Sequence, residues 1–253
     1  MTRLVLARHG QTSYNAERRF QGWRDIPLDD IGRVQAQALA QALRGRSFAR
    51  LLASDLVRAR ETAEAISQAV NVPVEVDRRL RECGFGEWQG LALAEVRERW
   101  SEEYREWVEK GTPAPGGESY QEVRTRVGGL IDELLSAHPS SDLLIVSHSG
   151  AIKMLIGHCL GIGIAACRRF RLAEGSLCEL DHSPTGAGAS APSTGFLTEG
   201  EVDEGRRSAV GGARCTGCRE RHAHRRVGAS RAHRGCRSAG HRRRGHGVAP
   251  GRR

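Results

Sequence analysis

Two histidines stand out because each closes a short apolar run beside a glycine. The first is His9 in Leu4-Val5-Leu6-Ala7-Arg8-His9-Gly10-Gln11-Thr12; the second is His148 in Asp142-Leu143-Leu144-Ile145-Val146-Ser147-His148-Ser149-Gly150. A guanidinium (Arg8) next to an imidazole suggests an anion site that holds a nucleophile or a base. An apolar run followed by glycine reads as a buried parallel strand entering a tight turn. In open α/β sheets, ligand chemistry sits just past the carboxyl ends of the strands. Either histidine alone could be a satisfied core residue. Two of them, delivered to the same end of one sheet, are hard to explain by packing.

Arg8-His9-Gly10-Gln11-Thr12, with Asn15 following, resembles the signature of the histidine phosphatase superfamily, the phosphoglycerate mutase-like proteins. The resemblance covers roughly residues 3–184. Phosphoryl transfer needs an in-line nucleophile, cations around the equatorial oxygens and a proton for the leaving alkoxide. His9 is the candidate nucleophile, and the resemblance implies a phosphohistidine there. An imidazole needs no prior deprotonation to attack phosphorus if its other ring nitrogen is held by an acceptor. Neighbouring cations should also lower its pKa. Arg8 and Arg58 are the candidate clamps, since guanidinium groups match phosphate oxygens bidentately. Arg58 lies in Ser54-Asp55-Leu56-Val57-Arg58-Ala59-x-x-Thr62-Ala63, which is similar to the family's second-arginine motif; alone it would read as an exposed helix arginine.

The resemblance further implies that His148 holds the transferring group and stabilises its charge. It implies that Asn15 and Gln21-Gly22 supply neutral donors, with Thr12 orienting the loop. The general acid is expected at Glu82, two residues after Leu80 in Leu80-Arg81-Glu82-Cys83-Gly84-Phe85-Gly86-Glu87-Trp88-Gln89-Gly90. Confinement beside Phe85 and Trp88 would raise its pKa; Glu87 is the alternative carboxylate. No metal or other cofactor is called for, because side-chain cations do what Mg²⁺ does elsewhere. Arg18, Arg19, Arg24 and Arg81 flank the motifs and could attract a second anionic group or be solvated.

Strands alternating with helical patterns must position these residues. A helix is expected from Pro27-Leu28-Asp29-Asp30 to about Leu43, with Asp29 as N-cap and Ile31, Val34, Ala38 and Leu39 as its apolar stripe. Strands are expected at 50–54, 73–76 and 142–147, and helices from 55 to about 70, 92–109, 119–137 and 150–160. Phe170–Leu172 and Ser176–Leu180 read as a final hairpin. The fold class is α/β, a three-layer αβα sandwich with a mostly parallel central sheet.

The 253 residues carry a net charge of +9, a mean hydropathy of −0.47 and 31 Gly. The charge resides in the C-terminal segment: from Gly186 onward there are 15 Arg against 5 acids, so the remainder is close to neutral. Residues 185–253, rich in Arg, Gly and Ala, show no periodicity and too few core formers to offset ordering entropy, so a disordered tail is expected. Out-of-frame translation or a recent fusion would account for it. Its Cys215-x-x-Cys218-x3-His222-x-His224 is too closely spaced for a zinc-finger core. Seven Cys imply no disulfide framework. No signal peptide or membrane span is present, so a cytoplasmic protein is expected.

The reading that follows is a catalytic domain over residues 1–184 that hydrolyses small phosphomonoesters. Phe85-Gly86-Glu87-Trp88-Gln89-Gly90 is similar to the phosphatase-type loop, and a short body leaves a phosphohistidine open to water. Phosphoglycerate mutase is the alternative. Non-specific nucleic-acid binding by the basic tail is a third reading, disfavoured because the tail has only one Phe for stacking. The expected partner is a small anionic phosphorylated metabolite, with no membrane; a homodimer is left open.

Overall fold

The computed structural model describes residues 1–182. The tail reading for 185–253, including its Cys/His run, lies outside them. In chain order the elements are β1 (Thr2–Arg8), α1 (Ser13–Ala16), α2 (Asp30–Leu43), β2 (Arg50–Ala53), α3 (Val57–Val70) and β3 (Val74–Val76). There follow α4 (Leu93–Arg99), α5 (Ser101–Glu109), α6 (Tyr120–Ala137), β4 (Leu143–Ser147), α7 (Ser149–Cys159), α8 (Ile164–Cys167) and β5 (Leu177–His182).

The five strands form one sheet in the order β3-β2-β4-β1-β5. All pairs are parallel except β1 with β5. Side chains alternate across a strand, and both faces of this sheet are apolar. Leu4, Leu6, Leu143 and Ile145 join α6 and α7 residues in one core, including Val127, Ile131, Ile152 and Leu155. Val5, Ala7, Leu144 and Val146 join Leu39, Leu43, Ala59, Ala63 and Ile66 of α2 and α3 in the other. This is the three-layer αβα arrangement. A third cluster packs Trp88, Val96 and Ala114 with Phe20, Phe85 and Trp107.

Register decides where the chemistry falls. β1 and β4 run parallel with Arg8 opposite Ser147, so the next residue on each strand is a histidine. The His9 amide N–H donates to the Ser147 carbonyl at 3.0 Å, extending the ladder by one bond.

Two local expectations are corrected. In α2, Asp29 caps as expected, its carboxylate accepting from the Gly32 N–H at 2.7 Å. The buried face, however, is Gly32, Ala36, Leu39, Ala40 and Leu43, while Ile31 and Val34 are 56% and 69% exposed and Ala38 is exposed too. Close backbone approach sets that phase. A Cβ on Gly10 would collide with the Gly32 carbonyl, and one on Gly32 with the Gln11 carbonyl, so the helix must turn its glycine towards the loop. The final hairpin is a single strand. Phe170–Leu172 is irregular, and β5 takes its antiparallel partner from β1 instead.

Candidate active site

The two imidazoles meet at the carboxyl end of β1 and β4. His9 and His148 are buried, with ring centroids 4.9 Å apart at 59°. Their hydrogen bonds fix opposite tautomers. The carbonyl of Gly10 can only accept, so at 2.7 Å it holds the proton on His9 Nδ1 and leaves a lone pair on Nε2. Arg58 Nε–H donates to His148 Nδ1 at 3.2 Å. The neutral His148 ring therefore carries its proton on Nε2, a buried nitrogen with no hydrogen-bond partner among the described residues. One ring thus offers a nucleophilic nitrogen and the other a donor. Both imidazoles are held well below their usual pKa, first by burial and then by the charge of Arg58, with Arg8 also contributing.

Arg58 starts α3 and is fully buried, not exposed. Besides His148 it donates to the carbonyls of Arg24 at 2.8 Å and Gly22 at 2.9 Å. Burial pulls its pKa down to about 10, against the opposing pull of Glu82 and Asp25. Arg8 donates to the Leu172 carbonyl at 2.6 Å and pairs with Glu174 at 2.7 Å, while its buried Nε has no partner among the described residues. Two buried donors, Arg8 Nε and His148 Nε2, are thus uncommitted beside the His9 ring, as an anion site requires.

Thr12 organises the loop. It caps α1 and its hydroxyl lies 2.9 Å from both Asn15 Oδ1 and Gln21 Oε1. The Thr12 N–H also donates to Asn15 Oδ1 at 3.1 Å. The Thr12 N–H fixes the Asn15 oxygen as an acceptor and so leaves its NH₂ group as a donor, while the single hydroxyl proton is shared between the two neighbouring amides. Gly22, at φ +52°, contributes its carbonyl to Arg58.

Glu82 reaches the same end of the sheet. Its carboxylate accepts from the backbone N–H groups of Cys83 at 2.8 Å and Gly150, in the first turn of α7, at 3.1 Å. A Cβ on Gly150 would collide with that carboxylate. Phe85 and Trp88 belong to a ring cluster with Phe20 and Trp107, and the recorded hydrogen-bond partners of the Glu82 carboxylate are backbone amides. Glu87 is exposed.

Sequence reasoning missed Arg126. From α6 it uses all five guanidinium N–H groups. It donates to the carbonyls of Arg79 and Arg81 at 2.7 Å and of Glu82 at 2.9 Å, and bidentately to Glu118 at 2.7 and 2.8 Å. Trp23 Nε1–H also donates to the Glu82 carbonyl, at 2.8 Å. Thr62, likewise unflagged, takes the Gly10 N–H at 3.2 Å and donates to the Arg58 carbonyl at 2.7 Å, tying the histidine loop to the arginine helix. No signal in the sequence marks Arg126; Thr62 lies inside the quoted motif. Among the described residues no three His, Cys, Asp or Glu side chains cluster as metal ligands, and no helix is long and apolar enough to cross a membrane.

The comparisons with known proteins agree with this geometry. A family model for the histidine phosphatase superfamily (branch 1) matches residues 4–191. A probable phosphoglycerate mutase of Cronobacter sakazakii is 38% identical over 185 residues, covering 72% of this chain and 86% of that one. A solved mycobacterial glucosyl-3-phosphoglycerate phosphatase is 36% identical with a TM-score of 0.67, covering 71% of this chain and 92% of that one. The α-ribazole phosphatase of Shigella flexneri is 30% identical with a TM-score of 0.67, over 72% and 91% of the two chains.

Proposed function

Because the chain belongs to the histidine phosphatase superfamily, we propose that it hydrolyses small phosphomonoesters through a phosphohistidine on His9. The observation that carries this reading is the pair of complementary tautomers. His9 Nε2 has a lone pair to attack with, and His148 Nε2–H can donate to the group attacked.

In the first step His9 Nε2 bonds to phosphorus and the ester P–O bond breaks. Glu82, in its acid form, gives its proton to the leaving alkoxide. Arg8 and Arg58 neutralise the equatorial oxygens, His148 Nε2–H donates to one of them, and Asn15 and Gln21 are further donors. In the second step water attacks phosphorus and the P–N bond breaks. Glu82 recovers a proton from that water, and phosphate leaves a neutral His9.

Hydrolysis is favoured over mutation of phosphate position by the Phe85–Gly90 loop and by the solved relatives named as phosphatases. The mutase reading rests on the name borne by the Cronobacter relative. A panel of small phosphoesters, with bisphosphoglycerate present and absent, tests both on wild type and His9→Ala. Phosphate release by wild type alone supports the proposal. Equal release by both proteins overturns the nucleophile assignment. Movement of phosphate between glycerate carbons without release establishes the mutase.

A further inference from the structure

Only two lysines occur in this chain, against 37 arginines. One of them, Lys153, stands on α7 one turn beyond Gly150 and hence on the same helix face. It is half-buried, and its ammonium makes no hydrogen bond or ion pair among the described residues. Burial lowers its pKa; the charge of Glu82 opposes this, while Arg8, Arg168 and Arg171 add to it.

The ammonium lines a groove of about 380 Å³ whose walls include Trp107, Tyr120, Arg168, Arg169 and Glu109. The groove adjoins the general acid. A Cβ on Gly150 would touch both the Glu82 carboxylate and, at 3.6 Å, the Tyr120 ring. The Arg168 guanidinium lies 5.6 Å from the ring centres of both Tyr120 and Trp107. It is anchored by the carbonyls of Trp107 and Val108, the latter at 2.9 Å, through one nitrogen, which leaves its other N–H groups uncommitted. Three cations against the single carboxylate of Glu109 give the groove a positive balance. Five residues of helix separate Lys153 from His148, about 7.5 Å along the axis.

Of the arginines nearer the motifs, Arg18 and Arg24 are exposed to solvent, and the other two are already paired. Arg81 is paired bidentately with Asp55 at 2.7 and 2.6 Å, and Arg19 is paired with Glu17 at 2.6 Å.

Building on the phosphoryl-transfer reading, we propose that this groove is the specificity site, in which Lys153, supported by Arg168, binds a second anionic group of the substrate. The substrate class is then a phosphomonoester that also bears a carboxylate or a second phosphate a few bonds from the first, with the carbon skeleton against Tyr120 and Trp107. A half-buried ammonium with no direct ion pair among the described residues gains when an anion pairs with it.

Calorimetric titration with three phosphonates of similar length tests this without requiring turnover: butylphosphonate, phosphonobutyrate and propane bisphosphonate. Wild type is expected to bind at least one of the two ligands that carry a second anionic group roughly tenfold tighter than butylphosphonate. A carboxylate preference and a phosphate preference are read from the two arms. Lys153→Met, which keeps the aliphatic stem, should collapse that ratio towards one, and Lys153→Arg should restore most of it. Equal binding of all three ligands by wild type, or a ratio untouched in Lys153→Met, overturns the groove while leaving the phosphatase reading intact. Failure of wild type to bind any phosphonate, together with no turnover of any ester, overturns both.

Discussion

Arg126 offers the sharpest test of how the acid is held. Replacing it by Met keeps the packed stem and removes five donors. The carbonyls of Arg79, Arg81 and Glu82 each lose a charged donor, worth about 1 kcal/mol apiece. Glu118, 14% exposed, keeps only the Gly84 N–H at 3.2 Å. Stranding a largely buried carboxylate brings the expected total to about 4 kcal/mol, read as a lower urea midpoint. Adding Glu118→Gln should recover part of that stability, because the stranded charge is gone, but none of the positioning. For activity, a displacement of the acid by about 1 Å costs roughly a hundredfold. The loss should depend on the leaving group. An alkyl phosphate needs a proton as its P–O bond breaks, whereas p-nitrophenolate leaves without one. The ratio of kcat for an alkyl ester to kcat for p-nitrophenyl phosphate should therefore fall by about 10–100-fold in Arg126→Met, and likewise in Glu82→Gln. An equal fall for both esters would refute the positioning argument; unchanged stability would refute the energetic one.

Stability should fall in acid. His9 and His148 are held neutral in the fold at pKa values well below 6.5, so between those values and 6.5 the unfolded chain binds more protons and is favoured as pH drops. Each imidazole contributes a slope of about 1.4 kcal/mol per pH unit in that window, and His148→Gln should remove one such share from urea midpoints measured between pH 7.5 and 5; an identical slope would count against the burial of that ring. Gly10→Ala should destabilise by about 2–3 kcal/mol, as overpacking against backbone does, because the new methyl meets the Gly32 carbonyl; a melting temperature within a degree of wild type would contradict this. Cys83 is buried, donates to the Glu118 carbonyl at 3.2 Å, and has its thiol pKa pushed up by that burial, so peptide mapping should find it unmodified by iodoacetamide in the folded protein and modified in urea.

The residues at strand ends were legible because an apolar run fixes the direction of a buried strand, and glycine fixes where it stops. That logic led from Leu4–Ala7 to His9 and from Leu143–Val146 to His148, and the parallel register then placed them side by side. The phase of α2 was not legible: hydrophobicity favoured Ile31 and Val34, but backbone contact at Gly32 overrode it. Arg126 was hidden for a related reason. An arginine on an amphipathic helix looks solvated until a loop more than 40 residues earlier is known to lie across it. The hydrogen bond from the Gly150 amide to Glu82 is the same kind of distant contact.

The anchoring of His9 through Nδ1 has a bearing on both half-reactions. In the proposed reaction, phosphorylation would occupy Nε2 and leave the bond to the Gly10 carbonyl as it is. The ring could then accept a phosphoryl group and surrender it without rotating or exchanging that anchor. On this reading the protein would meet water, in the second half of the cycle, with the posture in which it met the ester.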